Sequence, residues 1–394
     1  MTYYNNLLTF YKERWYATRP QTSIKSIGQQ GRRSRGLKNL KRQISQWIKT
    51  NATSEHYQDP VAQKQLKNLI ITFMDQSLDV PPWVCELLDQ EAYYTTTEAF
   101  IKRVHLEAPD MVFEDIVQAL RNLWVLISLQ LYMDCPLQLT NPIYGYSMLY
   151  PLTDNYLDNP SISIEDKRAF NQRFYQKIAH GKIKPCNTHE AQIFHMIDLI
   201  HETYPREAYP EVTNSLLAIL DAQNKSLNQQ DLSNLYEVDL LAQTFYKGGT
   251  SVLADAYLIN GQLTENQAQF AYGYGVILQL ADDLQDLEND LHDHHSTMMT
   301  TQGTYKTLDD LTKKYLAFID DFFNDLYVSN SKKQAALKQL LMVSVELLLF
   351  SATNQQTDHY SKHYIKAYNK KSRFNKKSFN FLNNRLIQQI KTRL

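Results

Sequence analysis

From about Pro60 onward, apolar residues recur at helical spacing, and few residues interrupt them. Over 394 residues there are only 11 glycines and 12 prolines, too few turn formers for a many-stranded fold. Strand signals are weak. The one Asn-Gly pair, Asn260-Gly261, joins helical runs rather than alternating ones. The expected fold class is therefore all-α. Hydrophobic residues make up 43% of the chain, enough for a substantial core. The segment VFEDIVQALRNLWVLISLQLYM, from Val112 to Met133, is too apolar in its second half for a surface helix and is expected to be central.

Three segments are expected: a basic N-terminal arm with short helices over 1–60, a helical domain over 61–357, and a basic amphipathic tail over 358–394. The arm includes the glycine-interrupted stretch from Ile27 to Arg33. Pro81-Pro82 is expected to end one helix and start another. In the tail, Phe379, Leu382, Leu386 and Ile390 fall near one helical face.

Net charge is −1 but uneven. Residues 1–50 hold 11 Lys and Arg against the single acid Glu13, and residues 361–394 hold 10 and no acid, which leaves −21 for the stretch between them. Basic ends on an acidic body either contact an anionic surface such as a membrane or fold back on that body. Neither LWVLISLQLYM, from Leu123, nor LLMVSVELLLF, from Leu340, reaches the length of a membrane span. With no secretory h-region and three scattered cysteines, Cys85, Cys135 and Cys186, the chain reads as cytoplasmic, peripheral to a membrane if its ends bind one.

Residues 238–291 carry most of the chemistry. Two antiparallel helices are expected, joined at Asn260-Gly261-Gln262, with Thr264 as the N-cap of the second. Gly248-Gly249 in the first marks a place where a backbone comes close to a ligand. Asp282, Asp286 and Asp290 form an i, i+4, i+8 ladder beside Asp283, with Gln279 and Gly275 extending the stripe. Asp154 and Asp158 form a second i, i+4 pair around Asn155. Stacked like charges cost a few tenths of a kcal/mol per pair, which an opposing cation relieves. Few carboxylates completed by water and phosphate oxygens are what Mg²⁺ prefers. Lys247, on the preceding helix, is a matching phosphate partner. Taken singly, either acidic run also reads as a solvated helix face.

Lys247 followed by GYGVILQLADDLQD, from Gly273 to Asp286, resembles the class I isoprenoid synthase superfamily, which includes the trans-prenyl diphosphate synthases and class I terpene synthases. Gly275, Gln279, Asp282, Asp283 and Asp286 stand at the matching places. Asp154 to Asp158 resembles the family's first aspartate-rich motif, with Asn155 in place of the second Asp. The resemblance covers roughly residues 85–320. It implies an antiparallel helical bundle around a deep apolar cavity, with the two motifs facing each other across its mouth. Asp154, Asp158, Asp282, Asp283, Asp286 and Asp290 are the implied ligands of three Mg²⁺ ions on a prenyl diphosphate.

Lys247, Gln279, Arg168 and Arg173 are the implied substrate contacts, and Tyr150 stands where elongating enzymes place a chain-length floor. Tyr146, Tyr150, Tyr272 and Tyr274 are candidates to face an allylic cation, in a cavity that excludes water.

The expected activity is ionisation of an allylic prenyl diphosphate. The second basic pocket of elongating enzymes is missing, with Gly36-Leu37-Lys38 and Arg121 as poor substitutes, so the reading leans to a terpene synthase or cyclase. Chain elongation with isopentenyl diphosphate and head-to-head condensation remain alternatives, as does a non-catalytic helical scaffold at a membrane surface. Expected partners are the prenyl diphosphate, a membrane touched through the basic ends, and a second copy in a homodimer. Nucleic acid is not expected, because no recognised module accompanies the basic ends.

Overall fold

The computed structural model describes residues 2–21, 91–157, 159, 161–226, 239–325 and 332–372, with a few single residues between 42 and 75. Among them the regular structure is entirely helical, in 14 α-helices and no strand. Asp158, the Ile27–Arg33 stretch, Pro81-Pro82, Cys85 and the amphipathic tail face lie outside the described residues. Contacts divide the chain into two compact units, residues 1–19 with 91–305, and residues 20–90 with 306–394. These limits do not follow the compositional boundaries at 60 and 357.

The first unit contains α1 (Thr2–Ala17), α2 (Glu91–Glu107), α3 (Phe113–Tyr132), α4 (Asn141–Leu157), α5 (Ile164–His180) and α6 (Thr188–Thr203). It continues with α7 (Pro210–Ser226), α8 (Leu240–Asn260), α9 (Glu265–Gln285), α10 (Leu287–His292) and α11 (Met298–Tyr305). Helix α8 is its centre and packs against α9, α7, α3, α1 and α4. The start of the basic arm is thus a docked helix. Tyr4, Leu7, Tyr11 and Trp15 recur every three or four residues and are buried. The Tyr11 hydroxyl donates to the Gln269 carbonyl at 2.7 Å.

Helix α3 is apolar on its inner side, where Leu123, Leu126 and Ile127 are sealed from solvent. It is not buried all round, since Trp124 is 40% exposed. Helix α4 continues through Pro151, whose missing N–H withdraws the helical donor from the Ser147 carbonyl. Gly261 at φ 80° closes α8. Thr264 then opens α9 with a reciprocal capping box to Gln267.

The second unit contains α12 (Asp309–Asp325), α13 (Lys332–Gln355), a 3₁₀ turn (Thr357–His359) and α14 (Lys362–Lys371). Ser361 caps α14 and donates to Asp309 from both its backbone N–H, at 2.9 Å, and its hydroxyl, at 2.5 Å. Tyr360, Tyr364 and Tyr368 stack in sequence, with centroids 5.2 and 5.8 Å apart. The run LLMVSVELLLF proves to be part of a longer helix. Counted from Lys332 to Gln355, α13 has 24 residues and is long and apolar enough to cross a membrane, although half of its apolar window is buried within the protein.

Candidate functional site

The central seam is built by glycines. A Cβ on Gly248 would meet the Gly275 carbonyl and the Gln279 side chain, and one on Gly275 would meet the Gly248 carbonyl, all well inside van der Waals contact. Gly249 lies against the Tyr272 ring in the same way, and Gly273 against the Tyr11 ring. The close approach expected at Gly248-Gly249 is therefore made by a neighbouring helix and an aromatic ring rather than by a ligand.

This contact brings the head of α8 beside the end of α9. Asp283 turns into the seam, where Thr244 donates to one carboxylate oxygen and Gln279 to the other, both at 2.9 Å. Burial pushes the Asp283 carboxyl up to about 6, against the pull of Gln279, the Lys247 charge and Thr244. Both of its oxygens are thus engaged, one by Thr244 across the seam from α8 and the other by Gln279 one turn back on α9. Lys247 lies close enough for its charge to act on that carboxyl.

Asp282, Asp286 and Asp290 lie on the other side. The helix axis changes at Asp286 (φ −90°, ψ 4°), the junction of α9 and α10. Its backbone N–H still bonds to the Asp282 carbonyl, and the N–H of Asp290 to the Asp286 carbonyl, both at 2.9 Å, so the ladder survives the junction. Burial, followed by the charges of Asp282 and Asp290, pushes the Asp286 carboxyl up to about 7. His295 Nδ1 stands 3.5 Å from Asp290.

The other acidic run reaches the same end of the bundle through α3. Gln118 donates to Asp154 at 3.5 Å, and Gln223 of α7 donates to its other oxygen at 3.1 Å. One turn further along α3, Arg121 stands 3.7 Å from Asp282. Residues three apart on a helix are neighbours on its surface. Asp154 and Asp282, distant in sequence, thus flank a single turn of α3. Asn155 donates to Asp115 on α3 at 2.8 Å, which adds a tether between α4 and α3.

Deeper in the bundle lies a polar layer. Tyr150, one turn before Asp154, shares a hydrogen bond with Ser251, and the Tyr146 hydroxyl donates to the Ser251 carbonyl at 3.3 Å. Their rings meet edge to face, 5.6 Å apart. Asn122 donates to Asp255 at 3.1 Å, and Asp255 has no solvent exposure. Burial holds its carboxyl well above the usual carboxylate range, and the Asn122 hydrogen bond opposes this only in part.

Other candidates sit elsewhere. Arg173 binds Glu190 through Nε at 2.9 Å and the Lys184 carbonyl through Nη2 at 2.6 Å, so its guanidinium ties α5 to the start of α6. Arg168 is exposed on α5. Tyr272 is fully buried between Gly249 and Tyr11, stacked on the latter at 5.7 Å, and Tyr274 stacks on Phe270. Both are packing residues of α9. Sequence reasoning overlooked Gln118 and Gln223, and treated Arg121 as a poor stand-in for a missing pocket. The available signal was the polar trio Gln118, Arg121 and Asn122 interrupting an apolar helix at i, i+3 and i+4.

Among the described residues, no group of three or more His, Cys, Asp or Glu side chains is gathered tightly enough to hold a metal ion by itself. No family model, curated protein or solved structure matches the chain.

Proposed function

We propose that this chain is a magnesium-dependent class I isoprenoid enzyme that ionises an allylic prenyl diphosphate, leaning to a terpene synthase or cyclase. The observation that carries the reading is the pairing of Gln118 with Asp154 and of Arg121 with Asp282 on one turn of α3. Two acidic runs more than 100 residues apart have no packing reason to share one end of a bundle, and their like charges oppose it.

On this reading Asp154, Asp282, Asp286 and Asp290 are the residues that would hold Mg²⁺. When bound, Mg²⁺ supplies positive charge where the leaving diphosphate develops negative charge. Lys247 and Arg121 add cationic contacts to the phosphate oxygens. Asp283 acts indirectly, by fixing α8 against α9 so that Lys247 and Asp282 keep their spacing. Tyr150 and Tyr146, one and two turns before Asp154 and packed edge to face, would be the rings nearest the hydrocarbon part. Gln279 works as a seam residue, its side chain lying against Gly248 of α8.

The test is incubation with geranyl, farnesyl and geranylgeranyl diphosphates, with and without isopentenyl diphosphate and Mg²⁺, with products analysed by mass spectrometry. Metal-dependent release of diphosphate is expected from at least one substrate. Cyclic or rearranged hydrocarbons indicate a cyclase, longer diphosphates an elongating enzyme, and a product of doubled carbon count a head-to-head synthase. No release with any chain length returns the chain to the scaffold alternative.

A further inference from the structure

Lys247, Ser251 and Asp255 recur every four residues and so share one face of α8, and Asp154, Tyr150 and Tyr146 do the same on α4. Hydrogen bonds join these faces to each other and to α3. Tyr150 bonds to Ser251, and Asn122 of α3 donates through Nδ2 to Asp255 Oδ1 at 3.1 Å and to the Ser147 hydroxyl of α4 at 3.4 Å. A line of polar side chains therefore runs from the acidic runs two helical turns into the bundle, about 11 Å. Asp255 is its inner end. It is sealed from solvent, and its Oδ2 has no hydrogen-bond partner. Such an unpaired oxygen is costly to bury. Other buried acids of this unit are not left so. Glu190 is held by Arg173 and the Cys186 N–H, and Asp283 by Thr244 and Gln279.

Because Asn122 donates to Oδ1, the proton of the neutral acid belongs on Oδ2, the oxygen without a partner. Burial favours that neutral form. Asp255 is thus a stored proton with no acceptor, and the Tyr146 and Tyr150 hydroxyls lie near enough to sense its charge. We propose that Asp255 is the acid–base group of the hydrocarbon stage of the reaction, giving its Oδ2 proton to a C=C bond of a neutral intermediate and taking a proton back from the cation that results. In the first step the O–H bond breaks and the π pair forms a C–H bond. The neighbouring carbon becomes cationic and Asp255 a carboxylate, which the Asn122 hydrogen bond stabilises. In the second step a C–H bond beside the cation breaks, its electrons form a new C=C bond, and the proton returns to Oδ2. The two steps need no other reactant and restore the acid. The proposal rests on the isoprenoid reading above and deepens it, since the product is an olefin reached through a neutral intermediate.

The experiment equilibrates the full chain in D₂O with Mg²⁺ and mixes it, in excess, with geranyl, farnesyl or geranylgeranyl diphosphate, so that each enzyme turns over once. Products are analysed by mass spectrometry and counted per diphosphate released. Wild-type product is expected to be heavier by one deuterium in place of hydrogen. Asp255→Asn and Asp255→Ala are expected to release the unprotonated olefin instead, with the labelled product falling about a hundredfold. The alanine variant decides the matter if the amide does not fold.

Wild-type product without deuterium overturns the proposal. So does a label that survives substitution of Asp255, because the proton then comes from another acid and Asp255 is a packing residue. Wild-type protein that releases no diphosphate removes the isoprenoid reading itself, and the acid–base group with it. Release with unlabelled product removes only the acid–base group.

Discussion

Gly248 on α8 and Gly275 on α9 meet backbone to backbone, each lying where the other's side chain would have to be. The end of the bundle that carries the acidic ladder is registered from this point. Lys247 precedes one glycine, and Gln279 and Asp283 follow the other by one and two turns. Replacing Gly275 with alanine forces a Cβ into the Gly248 carbonyl, which is backbone and cannot rotate away. Overpacking of this kind costs about 1–3 kcal/mol. Thermal unfolding of Gly275→Ala should show a lowered Tm; an unchanged Tm would mean that the helices separate freely.

Asp282 is half exposed and pairs only loosely, so its loss should barely alter stability, by about 0.5 kcal/mol or less. Its proposed role is in holding the metal. Asp282→Ala is expected to abolish metal-dependent diphosphate release while far-UV circular dichroism stays as in wild type. Turnover at the wild-type rate would remove Asp282 from the site.

Asp255 makes a separate prediction about pH. Its folded-state carboxyl titrates well above the value it has in the unfolded chain. Stability from keeping it neutral is full below the unfolded value and is lost as pH rises through the folded one. Asp255→Asn keeps the shape and cannot ionise. Urea unfolding should show wild type losing stability relative to the variant as pH is raised, with the gap widening toward alkaline pH. A gap that stays constant would show that Asp255 titrates normally.

His201 has the opposite sign. Burial holds its ring down to about 4, while Nδ1 donates to the Tyr204 carbonyl at 3.0 Å. Against an unfolded value of about 6.5, the neutral ring contributes stability that is present above about 6.5 and is lost as pH falls toward 4. The shift corresponds to roughly 3 kcal/mol. Relative to His201→Gln, wild type should lose about that much between pH 7 and pH 4. Parallel stability curves for the two proteins would contradict this.

Much of the helical organisation could be read from the residues alone. The α8–α9 hairpin, its Gly261 stop and its Thr264 cap follow from signals a few positions long, and α3 follows from its apolar period. The acidic ladder was also visible, because i, i+4 and i+8 share a face on any helix. The docking of α1 was hidden behind a basic composition that described the surface of that stretch and not its inward stripe of Tyr4, Leu7, Tyr11 and Trp15. The length of α13 was missed because Glu346 and the flanking polar residues masked a helix of 24 residues.

Which carboxylates turn into the α8–α9 seam and which turn away from it was beyond the sequence. Asp282 and Asp283 are adjacent, yet one turns toward Arg121 and the other into Thr244 and Gln279, because neighbours on a helix point about 100° apart. Arg121 and Arg173 are likewise equivalent as letters, and only their distant partners, Asp282 and Glu190, separate a loose surface pair from a locked one. Local period and capping act over a single turn, so the order of residues was enough to specify the helices. The meeting of Asp154 with Gln118 and of Asp282 with Arg121 depends on how helices far apart in sequence pack, and that was decided only in three dimensions.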